Sequence, residues 1–160
     1  MSLNLDHNTP TVLNVLIERI QNLKKSGKFE DAIRAAETAV ESARRLIEDR
    51  PDQIINLVTC LELLGNLLRI CGKEMESEAV YVEALSYEGS EKIEMRQLAR
   101  IKSNLACIYD NNNLNDEAII LYNQAIDTFS SLTPSPEIEI ANIRNNLGML
   151  HKKKREFEVA

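Results

Sequence analysis

The chain has no Trp, five Gly, four Pro and three Cys in 160 residues, and aromatics make up only 4% of it. So few turn-formers exclude an all-β sandwich, which needs a turn signal at almost every strand junction. An odd number of cysteines without a CxxC pair argues against a disulfide framework or a zinc site. A reducing, cytoplasmic setting is therefore expected. No apolar run approaches the roughly 18 uninterrupted residues of a membrane span, and residues 1–10 lack the basic and apolar regions of a secretory signal. Positive charge is also short: 19 Lys and Arg stand against 25 Asp and Glu, a net charge of −6. That sign is wrong for a surface that neutralises phosphates. Neither nucleic acid nor a membrane is expected as the main partner.

What is present is helix-forming. Leu, Ile, Ala, Glu, Asn and Lys dominate, with 44% hydrophobic and 28% charged residues, enough for a core and typical of an ordered domain. The composition predicts an all-α protein.

Three segments superpose on one frame: Leu61 to Leu68, Lys102 to Tyr109, and Arg144 to His151. Each carries Leu, then a small residue (Gly65, Ala106, Gly148), then a large one three places on. Leu16 to Leu23 fits more loosely, with Ile20 in the small place. Downstream, Gly27 to Ala32, Gly72 to Ser77 and Asn113 to Ala118 recur as a turn that opens a second helix, and Arg155 to Ala160 matches them at the end. Ala36 and Ala39, Tyr81 and Ala84, and Tyr122 and Ala125 hold matching places on that second helix. Small residues recur where helices approach closely and large ones where the gap must be filled. A helix–turn–helix unit of about 42 residues is the signature of a helical solenoid. Helices are expected at about 11–26, 29–48, 53–71, 74–87, 91–111, 114–131 and 137–153, with Thr9 as cap before Pro10.

These residues together resemble a tetratricopeptide repeat, and Asn104 to Tyr109 and Asn145 to Leu150 most resemble the repeats of kinesin light chains and their small bacterial relatives. The resemblance implies a right-handed α-solenoid of about three and a half repeats after a polar leader of residues 1–10. The single array would run over 11–160, with repeats at about 11–50, 52–89, 91–132 and an incomplete 136–160. Residues 156–160 would begin a helix that does not finish. A shortened chain is the plainest account; a further tail or a partner covering the end are the others.

Chemistry-bearing residues give little. His7 and His151 have no Cys or carboxylate companions at metal-ligand spacing, and His151 reads as a packed residue in the place of Tyr109. Cys60, Cys71 and Cys107 lie in apolar helical runs without a motif-like base, so they read as small hydrophobes. No phosphate-loop, dinucleotide, serine-hydrolase or HExxH pattern occurs. The expectation is no enzyme, no metal and no cofactor. Lys152 to Arg155 is the one basic run, placed at the fourth turn, where it is either a solvated loop or a contact for an acidic protein surface.

The first helices of such an array line its concave face. Off the packing stripe they carry Asn66 and Arg69; Arg100, Ser103, Asn104 and Asp110; and Asn142, Asn145, Asn146 and Lys152, with Asn14, Glu18, Gln21 and Lys25 in the first repeat. Asn is a mediocre helix former. A row of them either pairs a bound peptide's backbone, each amide offering donor and acceptor, or is an ordinary surface choice. The carboxylate clamp known among tetratricopeptide repeats is not expected, because Glu62, Asn142 and Asn146 replace its basic places. The resemblance thus implies a non-enzymatic protein-binding adaptor or scaffold, with a tubulin-like cytoskeletal filament as partner. The alternative is a self-associating module, using the unfinished fourth repeat, or a piece of a larger signalling protein.

Overall fold

A computed structural model describes residues 9–159, of which the side chains are described from Val12 onward. His7 and most of the expected leader lie outside these residues. The protein is 84% helical with seven α-helices and no strand among the described residues, as the composition requires. They are α1 (Thr9–Lys25), α2 (Phe29–Asp49), α3 (Ile54–Ile70), α4 (Glu74–Leu85), α5 (Met95–Asn111), α6 (Asn115–Ser131) and α7 (Glu137–Val159), with a short 3₁₀ turn at Pro51–Gln53. Thr9 is already helical, so α1 begins earlier than expected.

Three turns repeat one geometry. Gly27, Gly72 and Asn113 adopt φ of 73°, 74° and 60°. Around each, the next amide reaches back five residues (Lys28 to Leu23, Lys73 to Leu68, Leu114 to Tyr109) and the turn amide reaches back three. This is the Schellman arrangement, which satisfies the last carbonyls of one helix and redirects the chain into the next. Helical hairpins α1–α2, α3–α4 and α5–α6 result.

The chain forms two compact units, Met1–Lys92 and Ile93–Ala160. In the first, α3 packs against both α2 and α4. That central place explains its apolar character: Pro51–Ile70 is 20 residues long with a mean hydropathy of 1.3, long and apolar enough to cross a membrane by composition alone. Leu57, Val58, Leu61 and Leu67 are instead buried among its neighbours. Gly65 permits close approach of α4, since a Cβ there would stand 2.5 Å from the Tyr81 ring. Repeat one reaches the same fill by exchange: the large residue, Ile20, is on the first helix and the small one, Ala36, on the second, and both are buried. Volume conserved across a contact preserves packing. A bidentate pair, Arg44 Nε to Glu83 Oε1 at 3.1 Å and Nη2 to Oε2 at 2.6 Å, ties α2 to α4.

In the second unit, Ala106, Ala118, Tyr122, Phe129, Ile140 and Ile143 form one core between α5, α6 and α7. Here the structure departs from expectation. The basic run is not at a turn, and residues 156–159 do not begin a new helix; α7 continues through them. The place taken by Gly27, Gly72 and Asn113 elsewhere is held by Arg155, for which a left-handed conformation is unfavourable.

Candidate functional site

Arg100, Ser103 and Asn104 lie on one side of α5, spaced three or four residues apart, so they share a face. Asn142 and Asn146 do the same on α7. The two faces meet in a cleft of about 190 Å³ that also takes in Phe129, Glu139 and Ile143. Five residues singled out in the sequence therefore converge on one site, all half-buried except the exposed Asn142. Asn146 also turns toward α5, its Nδ2 lying 3.9 Å from Cys107 Sγ. The Tyr122 hydroxyl donates to the same sulfur at 3.2 Å. Burial, then this sulfur contact, pushes the Tyr122 hydroxyl well above its ordinary range. The cleft is thus lined by three amides and a guanidinium.

Asn145 and Lys152 do not join it. Asn145 lies next to Asn146 in sequence, and one residue is 100° of helix rotation. Its amide instead approaches Met149 Sδ at 3.8 Å, and Lys152 is exposed, within 3.9 Å of Glu156. Asp110 is engaged otherwise: Lys153 Nζ donates to its carbonyl at 3.1 Å and lies 3.3 Å from its carboxylate. A cation there suits the partial negative charge at the C-terminal end of α5. Lys154 reaches Asp116 at 2.7 Å, next to the start of α6. Two of the four basic residues thus hold α7 to the α5–α6 turn, a role invisible without the tertiary structure.

In the first unit, Gln21, Lys25 and Asn66 border a more apolar cleft of about 430 Å³ between α1 and α3, with Ile20, Leu63 and Ile70. Asn66 is oriented from behind, because Tyr81 donates to its Oδ1 at 2.6 Å. Burial raises the Tyr81 hydroxyl to about 12. Arg69 is half-buried on the same helix, and Asn14 and Glu18 are exposed on α1.

The residues set aside as unreactive are varied. Cys60 is buried and its thiol pushed up to about 11 by desolvation, the behaviour of a small hydrophobe. Cys71 and Cys107 are only partly buried. His151 is exposed on α7, contrary to the packed reading. No cluster of metal-ligating side chains occurs among the described residues.

Hairpins closed by one recurring turn, with polar residues gathered along the first helices, define a helical-repeat protein. Residues 99–129, spanning most of α5 and α6, match the tetratricopeptide repeat family. The crystal structure of BtubC (BKLC) from P. vanneervenii is similar, with a TM-score of 0.60 and 32% identity over 81% of this chain. No curated protein matches the chain. The chain therefore resembles tetratricopeptide-repeat proteins of the kinesin light chain kind, with residues 99–129 as the matched repeat. It spans about half, 52%, of the length of BtubC.

Proposed function

We propose that the chain is a non-enzymatic adaptor that binds a partner protein through the polar faces of its first helices, with a tubulin-like filament as that partner. The observation that carries the binding mode is the convergence of Arg100, Ser103, Asn104, Asn142 and Asn146 on one cleft between α5 and α7. Each asparagine amide offers a donor pair and an acceptor, and so matches the alternating N–H and C=O groups of an extended segment. Such pairing fixes register without demanding a particular side chain, as an adaptor for a repetitive surface requires. Arg100 brings to the same cleft a guanidinium, the planar group that suits a carbonyl or carboxylate. In the first unit the α1–α3 cleft offers apolar area beside Lys24 and Lys25, suited to a large apolar side chain of the same partner. A stable contact buries on the order of 800 Å² per partner, so several such clefts would act together.

The filament is supported by the likeness to kinesin light chains and their bacterial relatives, and belongs to the family rather than to any single residue. Co-sedimentation with an assembled bacterial tubulin-like polymer, at low and high salt, tests it. The chain is expected in the pellet, and the double variant Asn104→Ala, Asn146→Ala is expected to lose at least about tenfold in affinity. A chain that stays in the supernatant at every salt concentration ends the filament reading. Pelleting unchanged by the double variant moves the contact away from the α5–α7 cleft.

A further inference from the structure

Asn66, half-buried on α3, is held from one side by a buried ring. Tyr81 is fully buried, and its hydroxyl donates to Asn66 Oδ1 at 2.6 Å. Burial pushes that hydroxyl up, while the Arg69 guanidinium acts on it the other way by charge and hydrogen bonding. A guanidinium has N–H donors and no acceptor. It therefore addresses the lone pairs of the Tyr81 oxygen and leaves the single hydroxyl proton for Asn66. That polarity decides which end of the amide faces the ring, because the oxygen accepts a proton there and the NH2 group does not. Asn66 lines the α1–α3 cleft and Tyr81 does not. With Oδ1 turned to Tyr81, the planar amide turns Nδ2 away from it. The corresponding places in the other repeats lack this device. On α1 the place is Gln21, exposed, and Ala36 stands where Tyr81 would be. On α5 it is Cys107, whose sulfur takes the Tyr122 hydroxyl at 3.2 Å, and on α7 it is the exposed Met149. Only in repeat two does a buried tyrosine proton fall on an amide.

We propose that Tyr81 is a positioning residue that holds the Asn66 amide with its NH2 group toward the α1–α3 cleft, so that this cleft takes a carbonyl oxygen of the partner in preference to an N–H. The proposal rests on the reading of that cleft as part of the partner contact and narrows it, since Asn66 then presents donors alone. Lys24 and Lys25, both exposed at the same cleft, favour an oxygen acceptor as well. Ile20, Leu63 and Leu67 supply apolar surface beside them, so the group that fits is a backbone carbonyl next to an apolar side chain. An amide fixed before binding has no orientation left to choose on binding, which lowers the ordering cost of the contact. Gln21, on the opposite side of the cleft without a ring behind it, remains adaptable.

NMR on the full chain tests both halves of the proposal. In the free chain, the Asn66 side-chain NH2 protons are expected to give stronger NOEs to α1 than to the Tyr81 ring; the reverse order would mean that the amide is turned over, and overturns the proposal. The probe for recognition is N-acetyl-leucine methylamide, which carries two carbonyls, one apolar side chain and no charge. Its titration should move the Asn66 NH2 signal saturably. Asn66→Asp keeps an oxygen for the Tyr81 proton but replaces the NH2 group by a second acceptor, so Tm should hold while the probe's affinity falls at least about fivefold. Tyr81→Phe keeps the ring and lets the amide turn, and should weaken the probe by about two- to fivefold. A tyrosine of purely structural value would lower Tm and leave the probe's affinity for the folded chain unchanged; that result overturns the proposal. So does a probe that binds the Asn66→Asp chain equally well, or one that never moves the Asn66 signal. Neither measurement involves the filament, so the filament reading and this one fail separately.

Discussion

A methyl group has opposite consequences at Gly65 and Gly148, although the two residues share one place in the repeat. At Gly65 it would press into the ring of Tyr81, which is fully buried and cannot swing aside. Gly65→Ala is expected to cost about 1–3 kcal/mol through overpacking. At Gly148 the methyl meets open space, so Gly148→Ala should stabilise by about 0.5–1 kcal/mol through helix propensity alone. Urea unfolding of the two variants measures both signs, and equal effects would remove the distinction between a filled and a bare notch. Tyr81 sets a second residue-scale expectation. Burial holds its hydroxyl at about 12 against an ordinary value of 10, so the folded chain binds that proton more tightly than the unfolded chain does. The contribution is complete below pH 10 and is lost as pH rises through 12, amounting to about 2–3 kcal/mol. Tyr81→Phe should flatten that part of the alkaline decline while losing the hydrogen bond to Asn66. A decline as steep in the variant would place its origin in Tyr122 or Cys60.

At the scale of elements, the turns are what made the fold legible. Gly27, Gly72 and Asn113 stand at equal places in the sequence and take up the left-handed conformation that only such residues adopt at low cost. Gly72→Ala should therefore cost about 1–2 kcal/mol. Asn113→Gly should stabilise by up to about 1 kcal/mol, because glycine relieves what strain Asn retains at φ 60°. Thermal unfolding of both variants checks the pair, and a destabilised Asn113→Gly would mean that the asparagine side chain itself holds the turn. The same frame misled at the fourth repeat. Aligning Arg155 with glycine predicted a turn, whereas α7 runs on to Val159; a repeat frame records position but not the backbone freedom that a turn needs. The cleft was legible in part for a related reason. Helical spacing placed Arg100, Ser103 and Asn104 together, but the split between Asn145 and Asn146 depends on how α7 is rotated against α6. The ties from Lys153 to Asp110 and from Tyr81 to Asn66 join residues 43 and 15 apart, and no local pattern announces them.

For the molecule as a whole, the question is how far a local change travels. Helical repeats bury each element mainly against its chain neighbours, so stability is close to a sum of repeat and neighbour terms. Here the contacts gather into Met1–Lys92 and Ile93–Ala160, and the core of the second unit is built on Tyr122 with Phe129, Ile140 and Ile143. Tyr122→Ala removes a fully buried ring and should cost about 3–5 kcal/mol. If the repeat description holds, that loss falls unevenly. Amide hydrogen exchange should show reduced protection across α5, α6 and α7, while α2 and α3 keep most of theirs. Such independence would suit an adaptor, because one unit could adjust to a partner without loosening the other. Equal loss of protection in all seven helices would instead mean that the chain unfolds as one cooperative body, and the clefts of the two units would then have to bind or fail together.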